Sequence, residues 1–139
     1  MLEKVGLTKQ GAVAVPKKDS NAAWFDRGAR PGELGTSLIV GHYGYWKNGT
    51  RGIFNNISKL VKGDKIYVEN ELGVRTTFIV SGSKSYSLKD DTSVIFDSGS
   101  DKAYLNLITC EGIWNPISKS YPKRLVIFAE KEKAAKLTK

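Results

Sequence analysis

Short apolar runs separated by glycine, asparagine and aspartate dominate the pattern of hydrophobic and polar positions along this chain. Runs of about four to eight residues between such turn-forming residues are typical of β-strands. Residues 70–73 form a short polar segment with a glycine between the apolar runs at 65–69 and 74–81, which predicts the turn of a β-hairpin. The pattern predicts strands at residues 12–15, 37–40, 65–69, 74–81, 103–109 and 125–129.

Alternation within these runs predicts how each strand is covered. Along residues 74–81 one face carries Phe78 and Val80 with Val74 and Thr76, and the other carries Arg75, Thr77 and Ser81, which predicts a half-buried strand. Residues 103–109 alternate in the same way. Residues 125–129 are apolar throughout, which predicts a strand that is covered on both faces.

Helical signals are confined to single turns at residues 54–60 and 91–96. Many short strands with few helices predict an all-β fold, either a sandwich or a closed barrel, and closure removes exposed strand edges. A chain of 139 residues has the size of one domain with its own hydrophobic core. We predict a single domain over residues 1–139, with frayed termini at 1–10 and 131–139.

The composition constrains the partners. No segment reaches the roughly 20 apolar residues that span a bilayer, and the N-terminus lacks the apolar core of a signal peptide. The net charge of +8 suits an anionic partner such as nucleic acid, a membrane surface or a cell wall. Because the basic residues are dispersed and no nucleic-acid-binding motif accompanies them, we predict no nucleic-acid partner.

Cysteine and histidine each occur once, which restricts the available chemistry. No internal disulfide can form, and any Cys–His pair must use Cys110 and His42. Such a pair is the minimal apparatus of covalent acyl transfer, with a thiolate nucleophile and an imidazole that moves protons near neutral pH. His42 follows the strand predicted at 37–40 and therefore lies at the end of an element.

Arg124 is predicted to lie near Cys110. Cys110 directly follows the predicted strand 103–109, and Arg124 directly precedes the predicted strand 125–129. Antiparallel pairing of these consecutive strands sets both residues on one rim of the sheet. A guanidinium there favours the thiolate form of the cysteine and stabilises the oxyanion that forms when a carbonyl is attacked.

Structural roles stay open for these three residues. A lone cysteine is often a small buried hydrophobe, a histidine among aromatic neighbours is often a packed side chain, and an arginine is often a surface cation. Residues 32–35 lack the lysine of a phosphate-binding loop and predict a turn. No cluster of cysteine and histidine residues suggests a zinc site, so we predict no metal and no cofactor.

Several motifs between about Trp24 and Ala129 together resemble the sortase family, in the order that the family has them. Each motif is short, and the combination is specific. The matching segments are Pro31-Gly32-Glu33 with Gly35, Gly41-His42, Gly63-Asp64-Lys65-Ile66, Leu107-Ile108-Thr109-Cys110 and Arg124-Leu125-Val126-Ile127.

The resemblance implies a closed eight-stranded β-barrel and a cysteine transpeptidase. Sortases cleave a sorting signal of the Leu-Pro-x-Thr-Gly type after its threonine and hold the acyl group as a thioester. They pass it to an amine of a cell-wall precursor or to a pilin lysine. By this resemblance Cys110 is the nucleophile, His42 protonates the leaving amine, and Arg124 holds the substrate or its oxyanion. Thr109 is a weaker candidate for the oxyanion region.

Departures from the family pattern leave the sortase class open. Asn106 stands where the family signature opens with threonine, and residues 111–116 differ from the loop of the best-known housekeeping sortases. The calcium site of some members is not recognisable here. Sortases act at the extracellular face of the bacterial membrane through an anchor, which we expect to lie outside residues 1–139.

Two other functions fit the same residues. A different cysteine acyl-transfer enzyme or peptidase would use the same Cys–His pair, and a peptidase would release acid even with excess amine. A non-catalytic β-barrel binding module would tolerate the loss of Cys110.

Overall fold

The computed structural model describes residues 2–5, 22–42, 53–54, 56–70, 72–87, 90–99, 101–111, 117 and 123–133, with the backbone alone at 2–5, 110 and 111. The helical elements are a 3-10 turn (Ile57–Lys59) and a single α-helical turn α1 (Ser93–Phe96). The strands are β1 (Leu2–Val5), β2 (Ala22–Phe25), β3 (Gly35–Gly41), β4 (Lys65–Glu69), β5 (Arg75–Ser87), β6 (Ala103–Glu111) and β7 (Lys123–Lys131).

The seven described strands form one sheet in the order β1-β2-β3-β6-β7-β5-β4. β1 pairs with β2, and β3 with β6, in parallel, whereas the other neighbours are antiparallel. β3, β6 and β7 therefore occupy the middle of the sheet. Successive side chains at residues 36–41, 103–109 and 124–130 are buried or half-buried, as strands covered on both faces require.

Hydrophobic side chains pack on both faces of these central strands. One cluster joins Leu105 of β6 and Ile127 of β7 with Ile57 of the 3-10 turn. The other joins Val126 of β7 with Ile95 of α1. Because successive side chains of a strand point to opposite faces, a slip of one residue would exchange the two clusters, so this double burial fixes the register.

The predicted hairpin of β4 and β5 is present, and it lies at one edge of the sheet. The Asn70 side-chain oxygen accepts hydrogen bonds from the backbone N–H groups of Leu72 at 2.9 Å and Val74 at 3.0 Å. Gly73 has a φ angle of +79°, which glycine adopts without the steric cost that a side chain would bring. The turn therefore follows from local chemistry.

Most predicted elements are confirmed, with shifted boundaries. β3 contains the strand predicted at 37–40, β4 coincides with 65–69, and both helical turns fall within the predicted segments. A turn overlaps the one predicted at 32–35 but begins two residues earlier, since the Glu33 N–H donates to the Arg30 carbonyl at 3.0 Å. The strand predicted at 12–15 lies outside the described residues.

β5 is longer than predicted, because the prediction ended this strand at Ser81. The ladder with β7 continues past a bulge between Val80 and Gly82, where Ser81 is the extra residue. The Ser81 hydroxyl donates to the Phe128 carbonyl at 3.2 Å across this irregularity. A bulge inserts one residue without ending the pairing, so the glycine marks a bend in the strand and not its end.

Strands β1 and β2 were not predicted, and β1 lies within residues 1–10, which the sequence assigns to a frayed terminus. Runs of four residues carry little periodicity, which explains the omission. The prediction of a mostly β fold is confirmed, and closure into an eight-stranded barrel stays a prediction. Within the described ranges, no helix is long and apolar enough to cross a membrane.

Candidate active site

The central strands β3, β6 and β7 bring the predicted residues to the same end of the sheet, where β3 and β6 end and β7 begins. Cys110 of β6 lies directly opposite Arg124 of β7 in the antiparallel ladder. β3 runs parallel to β6 with Val40 opposite Ile108, so the same register extended by two residues sets His42 beside Cys110. Neighbouring strands are about 4.8 Å apart. His42, Cys110 and Arg124 therefore form one row across the sheet, called here the active-site row.

The structure confirms the predicted antiparallel pairing and shared rim, and it corrects one detail. Cys110 and Arg124 were predicted just outside their strands, yet both lie inside, because the ladder continues to Glu111 opposite Lys123. Backbone hydrogen bonds of a ladder do not depend on whether the side chains are apolar. The apolar pattern therefore ends one or two residues before the strand does.

His42 directly follows β3, and the backbone around it is held closely. The His42 carbonyl accepts a hydrogen bond from the Phe54 N–H at 3.0 Å, and the residue is half-buried. A Cβ atom on Gly41 would lie 2.6 Å from Cδ2 of Phe54 and 2.8 Å from Cγ2 of Ile53. Such distances leave no room for a side chain, so the glycine before His42 permits this close approach.

Thr109 connects the end of β3 to β6. Its hydroxyl donates to the Gly41 carbonyl at 2.8 Å, and only 2% of the residue is exposed. Thr109 was predicted for the oxyanion region on the strength of its place beside Cys110. In this structure its hydroxyl contacts the backbone of the neighbouring strand.

Arg124 lies between Cys110 and a residue that the sequence analysis missed. Arg124 is half-buried, and its Nη1 donates to the Lys123 carbonyl at 3.1 Å. On the other side, the buried Tyr86 of β5 lies directly opposite Arg124. Nζ of Lys84 is 4.9 Å from the centroid of the Tyr86 ring, a cation–π contact. Tyr86 was missed because the predicted strand stopped before it.

The active-site row supplies what covalent acyl transfer needs. The residues at these adjacent register positions are the types that attack on a carbonyl group uses: a cysteine nucleophile, a histidine proton carrier and an arginine with a fixed positive charge. Lys123 lies opposite Glu111 on the next row, so the positive charge in the row of Cys110 that favours a thiolate comes from Arg124. Within the part of the chain that the structure describes, no group of three or more His, Cys, Asp or Glu residues could hold a metal ion.

Comparison with known proteins gives one family and a set of related folds. The family model described as Sortase domain matches residues 3–132. The chain is similar in structure to sortase C-1 of Actinomyces oris, with 23% sequence identity, a TM-score of 0.66, and coverage of 81% of this chain and 59% of the other. The search of curated proteins gives no match.

Two further solved structures have the same fold. Sortase A of Corynebacterium diphtheriae has 20% identity and a TM-score of 0.67, with 96% of this chain and 61% of the other covered. A sortase D5 transpeptidase of Clostridium perfringens has 23% identity and a TM-score of 0.61, with 93% and 77% covered. The chain spans between 53% and 59% of the length of the first three structures that it matches.

Proposed function

This chain belongs to the sortase family, since the family model covers residues 3–132 of it, and we propose that it is a cysteine transpeptidase. Its proposed substrate is a sorting-signal peptide of the Leu-Pro-x-Thr-Gly type on a surface protein or pilin. The proposed acceptor is an amine of a cell-wall precursor or of a pilin lysine. The observation that carries this proposal is the active-site row of His42, Cys110 and Arg124.

In the first half-reaction the Cys110 thiolate attacks the carbonyl carbon of the substrate threonine. The tetrahedral intermediate carries a negative oxygen, which the Arg124 guanidinium stabilises. The bond from that carbon to the leaving nitrogen then breaks, and the His42 imidazolium gives its proton to the departing amine. The acyl group remains on Cys110 as a thioester.

The second half-reaction reverses these roles. An acceptor amine attacks the thioester carbon, and the now neutral His42 takes a proton from the attacking nitrogen. The Cys110 sulfur leaves as a thiolate, and an amide joins the substrate to the acceptor. Thr109 stays a candidate for the oxyanion region because it directly precedes the nucleophile.

The fold and setting complete the proposal. We place the described sheet in a closed eight-stranded barrel, because the mostly β fold and its structural neighbours agree with one. We also place the enzyme at the extracellular face of a bacterial membrane, held by an anchor outside residues 1–139. A net charge of +8 suits work beside an anionic cell wall.

The test is incubation with a panel of sorting-signal peptides and amines, read by mass spectrometry. We expect a thioester on Cys110 without acceptor, and an amide product when amine is added. Cys110→Ala is the matched control, since it removes the chain's one thiol and should abolish turnover with the fold intact. Acid release despite excess amine would instead identify a peptidase. Peptide binding without any covalent product would identify a binding module.

A further inference from the structure

We propose that Thr109 is a positioning residue that holds His42 beside Cys110 through its hydroxyl. The inference rests on the proposed function and adds to it a part for the Thr109 side chain, whose hydroxyl contacts the backbone of β3. It assigns the hydroxyl a role in assembling the Cys–His pair before substrate arrives.

The contact that carries the inference joins β6, which contains Cys110, to β3, which leads into His42. The Thr109 hydroxyl donates to the Gly41 carbonyl at 2.8 Å, and the group is almost fully buried. Gly41 is the last residue of β3, and Thr109 is next to Cys110 on β6. The hydrogen bond therefore crosses from one strand to the other one residue before the active-site row.

A second contact holds the same backbone from the other side. The Phe54 N–H donates to the His42 carbonyl at 3.0 Å. Phe54 and Ile53 also fill the space where a side chain on Gly41 would be. The carbonyls of residues 41 and 42 are thus both occupied, one by β6 and one by the turn containing Phe54.

Glycine makes this double attachment necessary. Gly41 pairs with Ala22 of β2, but a glycine backbone is less restricted than that of any other residue, so further contacts are needed to fix the peptide leading into His42. Catalytic groups lose rate steeply when they move, and a displacement of about 1 Å can cost about 100-fold. Close packing demands the glycine here, and the Thr109 hydroxyl restrains the freedom that the glycine brings.

Among the described residues, the register identifies which ionisable groups accompany His42. Cys110 of β6 and Arg124 of β7 share its row, and Glu111 and Lys123 form the next row beyond. The proposal predicts that the Thr109 hydroxyl affects how strongly His42 is coupled to Cys110 and Arg124. The hydroxyl itself is not one of the ionisable groups of the row.

The test replaces the hydroxyl by a methyl group of similar size. Thr109→Val should lower the acylation rate about 10- to 100-fold, and Thr109→Ser, which keeps the hydroxyl, should restore most of it. Thr36→Val is the matched control. Thr36 lies on β3 and is buried like Thr109. Its hydroxyl also bonds a backbone group, accepting from the Ser98 N–H at 2.8 Å. It lies about 20 Å from His42 along the strand, so this control should leave acylation unchanged.

A second measurement separates positioning from a direct effect on the substrate oxyanion. Alkylation of the chain's one cysteine by iodoacetamide needs no peptide, and its pH dependence reports the Cys110–His42 pairing. In the parent protein, His42→Ala should change this pH profile. In a Thr109→Val background the same substitution should change it several-fold less, as a double-mutant cycle measures.

The outcomes are distinct. If His42→Ala changes the alkylation pH profile as much in the Thr109→Val background as in the parent, the positioning role is overturned. If Thr109→Val also lowers the acylation rate in that case, Thr109 acts on the oxyanion. No effect of His42→Ala on the parent's profile would contradict the proposed Cys–His pair itself. Thermal unfolding of each variant identifies misfolding. If Thr109→Val does not fold, Thr109→Ala removes the same hydroxyl without a branched side chain and takes its place in the cycle.

Discussion

The two ends of the central strands β3 and β6 are built alike and carry different chemistry. At each end a buried threonine hydroxyl bonds a backbone group. Thr109 donates to the Gly41 carbonyl at one end, and Thr36 accepts from the Ser98 N–H at the other. The lengths of both bonds are 2.8 Å. Thr109 links β6 to β3, and Thr36 links β3 to the segment after α1, so a buried threonine hydroxyl bonded to backbone does not by itself identify the reactive end.

The neighbours of the two threonines make the difference. At the end near Thr36, charged and polar groups pair with each other: Lys102 with Glu130 at 3.3 Å, and Tyr104 with Asp101 at 2.8 Å. The end near Thr109 instead places a thiol, an imidazole and a guanidinium in adjacent register positions. The pairs near Thr36 stabilise the fold, whereas residues with a thiol, an imidazole and a guanidinium in adjacent positions are suited to act on a substrate carbonyl.

After the loss of the nucleophile itself, the largest effect is expected from His42→Ala at the reactive end. Turnover should fall by about three orders of magnitude at every pH, because the thiolate loses its proton-transfer partner. In the parent enzyme the acylation rate should be bell-shaped in pH. Raising the pH creates thiolate but removes the proton from the imidazole, and lowering it does the reverse, so both limbs belong to the coupled pair.

The measurement is acylation rate against pH with a slow substrate, so that chemistry limits the rate. Urea unfolding should show nearly unchanged stability in His42→Ala, because the residue is only half-buried. A parent profile that rises and then stays flat at high pH would mean that no acid is needed, and His42 would lose its assigned role.

Next in size is a loss of stability in the shared middle of the strands. Leu105 is fully buried, so Leu105→Ala should lower the free energy of unfolding by about 2–5 kcal/mol. Leu72→Ala is the same chemical change at a residue that is 88% exposed, and it should alter stability by less than about 0.5 kcal/mol. Urea unfolding measures both, and acylation by the folded fraction should be unchanged in each.

Equal effects of the two leucine substitutions would show that burial does not determine stability in this sheet. A loss of acylation in folded Leu105→Ala, with the stability drop, would show that the middle of β6 also shapes the reactive end. Either result would break the division of roles between the regions.

The sequence predicts the strands that are long enough to show a period. Residues 103–109 and 125–129 gave strands, a pairing direction and thus the shared rim of Cys110 and Arg124. Strand ends were misplaced because a ladder continues through polar residues such as Glu111. The short strands β1 and β2 and the bulge beside Gly82 were missed, because such features leave no periodic signal in the sequence.

The residues proposed for the site could be named from the sequence alone. One cysteine and one histidine left no other Cys–His pair to consider. Contacts between distant segments were not predictable. Phe54 on Gly41 and Tyr86 beside Arg124 depend on how loops and strands fold together, and no local pattern encodes them.

Arg124→Lys should have a smaller effect than the loss of His42. Lysine keeps the positive charge but loses the planar fork that can make two parallel hydrogen bonds. We expect kcat/KM to fall about 10- to 100-fold with little change in stability. Steady-state kinetics with a sorting-signal peptide measure this, and Lys123→Arg on the next row serves as the reciprocal control. Near-full activity in Arg124→Lys would mean that only the charge matters.

The smallest effect is expected at the opposite end, from Tyr104→Phe. The hydrogen bond from the Tyr104 hydroxyl is the main cause that lowers the pKa of Asp101 below its ordinary value. The same bond raises the pKa of Tyr104. Removing the hydroxyl should therefore raise the pKa of Asp101, and an NMR titration of that carboxyl measures the change. An unchanged titration midpoint would show that the bond is not formed in solution.

The direction of the accompanying change in stability follows from these shifts. A carboxyl whose pKa is lowered by folding stabilises the protein above its ordinary pKa, and that contribution disappears as the pH falls through the lowered value. For a tyrosine with a raised pKa the contribution is lost as the pH rises through the raised value. Tyr104→Phe should thus be slightly less stable than the parent at neutral pH, with the difference closing in strong acid. Because the bond is exposed to solvent, the difference should be far smaller than for Leu105→Ala.

Acylation should be unaffected, since Tyr104 lies six residues before Cys110 on β6. A drop in acylation would show that polar pairing at one end of the strands reaches the other, and the contrast between the two ends would fail.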